Sequence, residues 1–177
     1  MAEAEGAGEA GVYEEKSLAA LVSIAPFLED AQWQEDIFDR ALGDKRRKIR
    51  ETLLKTLPDL QGNPWQDKIV AFGLRLSETD PNAQKAINMI LSRLGRNQPE
   101  LAVRLMRHGY EHWEIPQRKL LPSKIQSLAD PALRQEMKAL ADGDPAEEVR
   151  GAMAKIEAKQ AELKAKKAAK EAANGSA

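Results

Sequence analysis

Apolar positions recur along the chain at helical spacing. Ile49, Leu53 and Leu57 form one stripe. Trp65, Ile69, Phe72 and Leu76 form a second, and Ala83, Ala86, Ile87, Ile90, Leu91 and Leu94 a third. Leu133, Met137 and Leu140 make a shorter stripe. Val149, Met153, Ile156 and Leu163 line the last, with Ala152 beside them. All follow the i, i+3/i+4, i+7 rule of an amphipathic helix. No segment sustains two-residue alternation, and Asp142-Gly143 is not flanked by strand-like runs. The pattern predicts an all-α fold of about eight or nine short helices, at roughly 16–28, 31–42, 45–57, 64–78, 81–94, 98–108, a Pro-interrupted 116–128, 131–141 and 145–165.

The punctuation agrees with the periodicity. Asn63-Pro64, Asp80-Pro81, Asp130-Pro131 and Asp144-Pro145 each pair a capping residue with Pro at the first helical position. The cap oxygen accepts an orphan backbone N–H, and Pro has no N–H to orphan. Gln98-Pro99, after Asn97, is a looser version. Gly43, Gly95, Gly109 and Gly143 fall where these helices are expected to stop.

The sequence also repeats. GDKRRKIRETLLK (43–55) aligns without gaps on GDPAEEVRGAMAK (143–155), sharing the cap Asp, an Ile/Val-Arg pair, a Leu/Met position and a final Lys. NQPELAVRLMR (97–107) repeats the cap, the Val-Arg and a Met with one residue inserted. A capped helix carrying Val-Arg in its second turn resembles the inner helix of HEAT repeats. The resemblance spans three helices and implies a stack of helical hairpins. The residues alone leave a HEAT-like stack and an irregular helical bundle both open. In either, the Arg can serve to cap or bridge neighbouring helices.

Composition supports the class. Alanine (28) and leucine (20) dominate the 177 residues, and aromatics make up 5%. Small and mid-sized aliphatics suit close helix packing, and both residues favour helix. There is no cysteine, which excludes disulfides and thiol catalysis and fits a cytoplasmic protein. No basic-then-apolar leader stands at the start. The best apolar run, LAALVSIAPFL (18–28), is too short for a bilayer and contains Pro26, so no membrane contact is expected. An acidic leader rich in Ala, Gly and Glu is expected to be unstructured over 1–15, a helical domain to fill 16–165, and a Lys/Ala-rich tail to fray over 166–177.

Charge is unevenly spread. Residues 1–38 carry nine acidic side chains and one basic, residues 39–127 seventeen basic and ten acidic, and residues 128–177 nine of each. KRRKIR (45–50) opens a helix, where basic residues oppose the dipole. A locally unfavourable feature points to a role. Lys45, Arg46, Arg47, Arg50, Arg93, Arg96, Arg104 and Arg107 are therefore the candidate binding residues, with Arg118, Lys119 and Lys124 extending the region. If stacked helices gather them on one side, they offer a face to an acidic protein partner or to a phosphate backbone. Aromatics do not interleave with them, so base stacking is not expected. The acidic leader is a further candidate to cover the basic middle. None of Arg46, Arg47 and Arg50 lies in the 49/53/57 stripe, so their reversal to Glu is expected to spare the fold.

One motif suggests other chemistry. HGYEH (108–112) holds the chain's two histidines and matches His-x-x-Glu-His, a pattern in which both histidines project from one helix face onto zinc. Gly109 directly follows His108. If it ends the helix, His108 lies in the last turn, His112 lies in a linker, and the two share no face. On that reading no metal or cofactor is expected. Phosphate-binding loops, Gly-x-Gly-x-x-Gly after a strand and Gly-x-Ser-x-Gly elbows are missing. Glu14-Glu15, Glu29-Asp30 and Glu147-Glu148 fall where helix starts favour carboxylates. The sequence thus reads as a non-enzymatic helical adaptor that engages a protein partner through a basic face, with nucleic-acid binding through the same face as the alternative.

Overall fold

The structure is a computed structural model that describes residues 2–174, with side chains over residues 11–168. Among the described residues every regular element is helical. The order is α1 (Ala2–Ile24), α2 (Ala31–Gly43), α3 (Arg47–Lys55), α4 (Trp65–Ser77), α5 (Pro81–Asn97), α6 (Pro99–His112), α7 (Ile115–Arg118), α8 (Pro122–Ile125), α9 (Pro131–Asp142) and α10 (Glu147–Asn174), with one-turn 3₁₀ segments at Ala25–Phe27 and Leu57–Asp59.

At all four Asx-Pro sites the side chain accepts from the amide two residues on. Only Pro81 and Pro131 open their helices as expected; α4 begins at Trp65, after Pro64, and α10 at Glu147, two residues after Pro145. Asn63 accepts from the Trp65 amide at 2.9 Å, Asp80 from Asn82 at 2.9 Å, Asp130 from Ala132 at 2.7 Å and Asp144 from Ala146 at 2.8 Å. Asp44 does the same without a proline, accepting from the Arg46 amide at 2.8 Å. Gln98 does not cap. Its side chain donates to the Pro58 carbonyl at 3.3 Å and accepts from Gln66 at 2.6 Å, tying the start of α6 to earlier turns.

The internal repeat is matched position by position. Asp44 and Asp144 each accept from the amide two residues on, α3 begins at Arg47 and α10 at Glu147, and Ile49, Leu53, Val149 and Met153 are buried. The shared arginines fasten different things. Arg50 reaches Asp80 at the cap of α5 (3.7 Å), whereas Arg150 donates to the carbonyls of Asp144 and Pro145 beside its own helix start.

One apolar core runs from Leu18 to Met153, and α5 passes through its centre with Ala83, Ala86, Ile87, Ile90, Leu91 and Leu94 buried. α1 packs on α2 and α3, α6 packs on α5 and α9, and α10 closes over α8 and α9. Phe38 and Trp65 meet at 5.6 Å between ring centroids, and the Lys68 ammonium sits 3.9 Å over the Trp65 ring.

The helical backbone begins at Ala2 and ends at Asn174, in segments rich in Ala, Glu and Lys, which favour helix. The side chains before residue 11 and beyond 168 lie outside the described residues. A further expectation changes, on where two helices stop. Gly95 and Gly109 do not end their helices, which run on to Asn97 and His112. Both sit where another segment touches the backbone. A Cβ on Gly95 would come within 2.9 Å of Ser127 Oγ, and one on Gly109 within 3.0 Å of Leu121 Cδ1 and Trp113 Cε3. No helix among the described residues is long and apolar enough to cross a membrane.

Candidate functional site

The eight basic candidates come from α3, the turn before it, α5 and α6, and most are already paired. Arg46, hydrogen-bonded through its guanidinium to both carboxyl oxygens of Asp44, makes an ion pair at 2.6 Å. That guanidinium is the main reason the Asp44 carboxyl is held below its ordinary value. Arg47 pairs with Glu51 one turn along α3 (2.5 Å), and Arg50 with Asp80 (3.7 Å). Arg93 pairs with Asp59, Arg104 with Asp67 (3.9 Å) and Arg107 with Glu136. Lys45 and Arg96 are exposed and make no ion pair among the described residues.

Helix α1 adds a further neutralising contact. Glu14 lies 2.5 Å from Arg40 and 3.9 Å from Arg46. The acidic N-terminal helix thus lies against the start of the basic region, as one of the sequence readings allowed. Arg118 is likewise occupied, pairing with the buried Asp144 at 3.3 Å. The arginines therefore act largely as bridges between helices.

The histidines lie differently from the expectation. Because α6 runs through Gly109, His108 and His112 stand one turn apart on one face, with ring centroids 4.4 Å apart. Gly109 signals close contact with Leu121 and Trp113 rather than a helix end, and the Trp113 amide donates to the Gly109 carbonyl at 3.0 Å. Glu78, at the C-terminal end of α4, approaches the pair. One ligand atom from each of Glu78, His108 and His112 lies within 4.8 Å of the others. His108 is half-buried, and its Nε2 has no hydrogen-bond partner among the described residues. Burial, reinforced by the facing His112, lowers the His108 pKa, with the Leu74 backbone, Glu78 and Glu111 opposing. A groove of about 410 Å³ lies alongside, walled by Leu74, Arg104, Arg107, His108, Glu111 and Leu133 among others. Sequence reasoning held the histidine pair but set it aside on the glycine, and Glu78 carried no local signal.

A second surface feature was not flagged by sequence. Ile24, Phe27 and Trp33 stand out at the corner between α1 and α2, with Phe27 68% and Trp33 61% exposed. Asp30 caps α2 by accepting from the Trp33 amide at 3.0 Å, which fixes the turn that carries them. Comparison with protein-family models, with curated proteins and with solved structures finds no match to this chain.

Proposed function

We propose that the chain is a non-enzymatic, all-helical binding protein that engages another protein through the α1–α2 corner. The observation that carries this is the exposure of Ile24, Phe27 and Trp33 within ten residues of chain, from the last residue of α1 to the first turn of α2. Trp is enriched among residues that dominate binding energy, and two strongly exposed aromatics six residues apart favour this corner as the contact surface. Glu29, Asp30, Glu35 and Asp36 surround the corner in sequence, so the complementary partner surface has an apolar pocket and a basic rim. The matched units at 44–55 and 144–155 support a HEAT-like stacking of hairpins as the scaffold. The lack of cysteine supports a reducing, cytoplasmic setting.

Contact with a nucleic-acid backbone is the second reading, supported by the exposed Lys45 and Arg96, which make no ion pair among the described residues. Arginines already bound to carboxylates release few counterions on meeting phosphate, which favours the protein partner. The test is partner isolation from the source cells with the full chain, followed by reconstitution of the purified pair. Replacing Phe27 and Trp33 with Ser is expected to weaken that pair by about 30-fold or more, the scale of one strong anchor. Binding unchanged by the double substitution would overturn the reading. Tight duplex binding whose log affinity falls with log salt at about −0.9 per phosphate would establish the alternative.

A further inference from the structure

The geometry points to a divalent transition-metal site of the zinc class, built from His108 and His112 of α6 and Glu78 at the end of α4. It stands apart from the partner surface and does not depend on it. The two imidazoles are presented by one helix face at i and i+4, and their rings already lie 4.4 Å apart. The carboxylate comes from a segment thirty residues earlier, so the three groups meet through the packing of α4 on α6.

Each ligand is available. His108 Nε2 is buried with no hydrogen-bond partner among the described residues, a condition that buried polar atoms rarely tolerate. His112 is exposed and makes one ion-pair contact among the described residues, with Glu111 at 3.7 Å. Glu78 is exposed and makes no side-chain hydrogen bond or ion pair among the described residues. The ligand atoms lie within 4.8 Å of one another. Bonds of about 2.0–2.1 Å in a tetrahedron need edges of about 3.3 Å. The exposed side chains of Glu78 and His112 close that difference by rotating about their own bonds.

The donor set selects the ion. Two imidazole nitrogens and one carboxylate suit Zn²⁺, Co²⁺ or Ni²⁺, whereas Mg²⁺ and Ca²⁺ demand oxygen ligands. Three protein ligands leave one tetrahedral position for water. Because the ligands come from two helices, the ion staples the end of α4 to the end of α6. Binding to the folded chain alone then raises its stability.

The experiment uses the full chain without an affinity tag, titrated with Zn²⁺ by calorimetry and with Co²⁺ by visible absorption. One equivalent per chain is expected, with the intense Co²⁺ bands of tetrahedral coordination. At a hundredfold excess over Kd, the melting temperature is expected to rise by about 5–10 °C. Even groups outside the ligand set contribute about 10–100-fold to metal affinity. His112→Ala is therefore expected to weaken binding by at least about 100-fold, and Glu78→Gln by at least about tenfold. Both residues are exposed, so circular dichroism of the variants should match the parent. Glu114→Gln, an exposed carboxylate outside the triad, is the control and should leave the affinity unchanged. The site is overturned by any of three results: no binding of one equivalent, affinity unchanged in both ligand variants, or binding that occurs only as two chains associate.

Discussion

Two helical glycines meet opposite surroundings. Gly151, in α10, has nothing within 4 Å of where a Cβ would stand, whereas a Cβ on Gly109 would press on Leu121 and Trp113. Gly151→Ala is expected to stabilise the chain by up to about 1 kcal/mol through helix propensity alone. Gly109→Ala gains the same propensity but overpacks a tight contact, at about 1–3 kcal/mol, so its net effect is destabilising. Urea unfolding of the two variants tests this, and stabilisation of both would show that the Gly109 contact yields. The two repeat-related aspartates make a second pair. Asp44→Ala removes a hydrogen bond to the Arg46 amide worth about 1 kcal/mol and leaves the partly exposed Arg46 guanidinium to water. Asp144→Ala removes the equivalent bond and also leaves Arg118 unpaired with its side chain only 16% exposed, a loss of about 2–4 kcal/mol. Asp144→Asn keeps that bond and should fall between. The pH dependence follows from Asp44. Arg46 depresses its carboxyl below the ordinary 3.8. That contribution is complete above the unfolded value and is lost as pH falls through the lower folded value. Stability measured from about pH 5 to pH 2 should fall less steeply in Asp44→Ala than in the parent.

At the level of elements, the caps were legible because each is a local device. Asx-Pro fixes the backbone and satisfies an amide two residues on, whatever the rest of the chain does. Gly43 and Gly143 stand at helix ends as the pattern implied. Gly95 and Gly109 do not, because a glycine that ends a helix and one that admits a neighbour look alike in sequence. The partner that decides, Ser127 or Leu121, lies in another element. Helix α10 illustrates a further limit. Its buried anchors are Val149 and Met153, and residues 161–168 are exposed, yet the helix continues because Ala, Lys and Glu favour it. Removing residues 165–177 is expected to change stability by no more than about 0.5 kcal/mol, the scale of surface changes. A melting temperature several degrees lower would mean that the segment packs.

Across the whole molecule, the fate of the charges was the largest departure from sequence reasoning. Reversing Arg46, Arg47 and Arg50 to Glu was expected to spare the fold, since none lies in the buried stripe. The structure pairs them with Asp44, Glu51 and Asp80. The triple reversal is now expected to destabilise the chain, because it replaces three attractions with repulsions. The cost should shrink in high salt, and an unfolding midpoint equal to the parent's at low salt would contradict it. The sequence by itself determined the helical class, the starts of most helices, the buried stripes and the correspondence of 44–55 with 144–155. These follow from rules that act over a few residues. Only the tertiary structure decided which charges remain free and which histidine faces are shared. Arg50 finds its acid thirty residues away, Arg93 thirty-four, and the imidazoles of α6 meet a carboxylate from α4. Such encounters depend on how helices pack, and no local pattern records them.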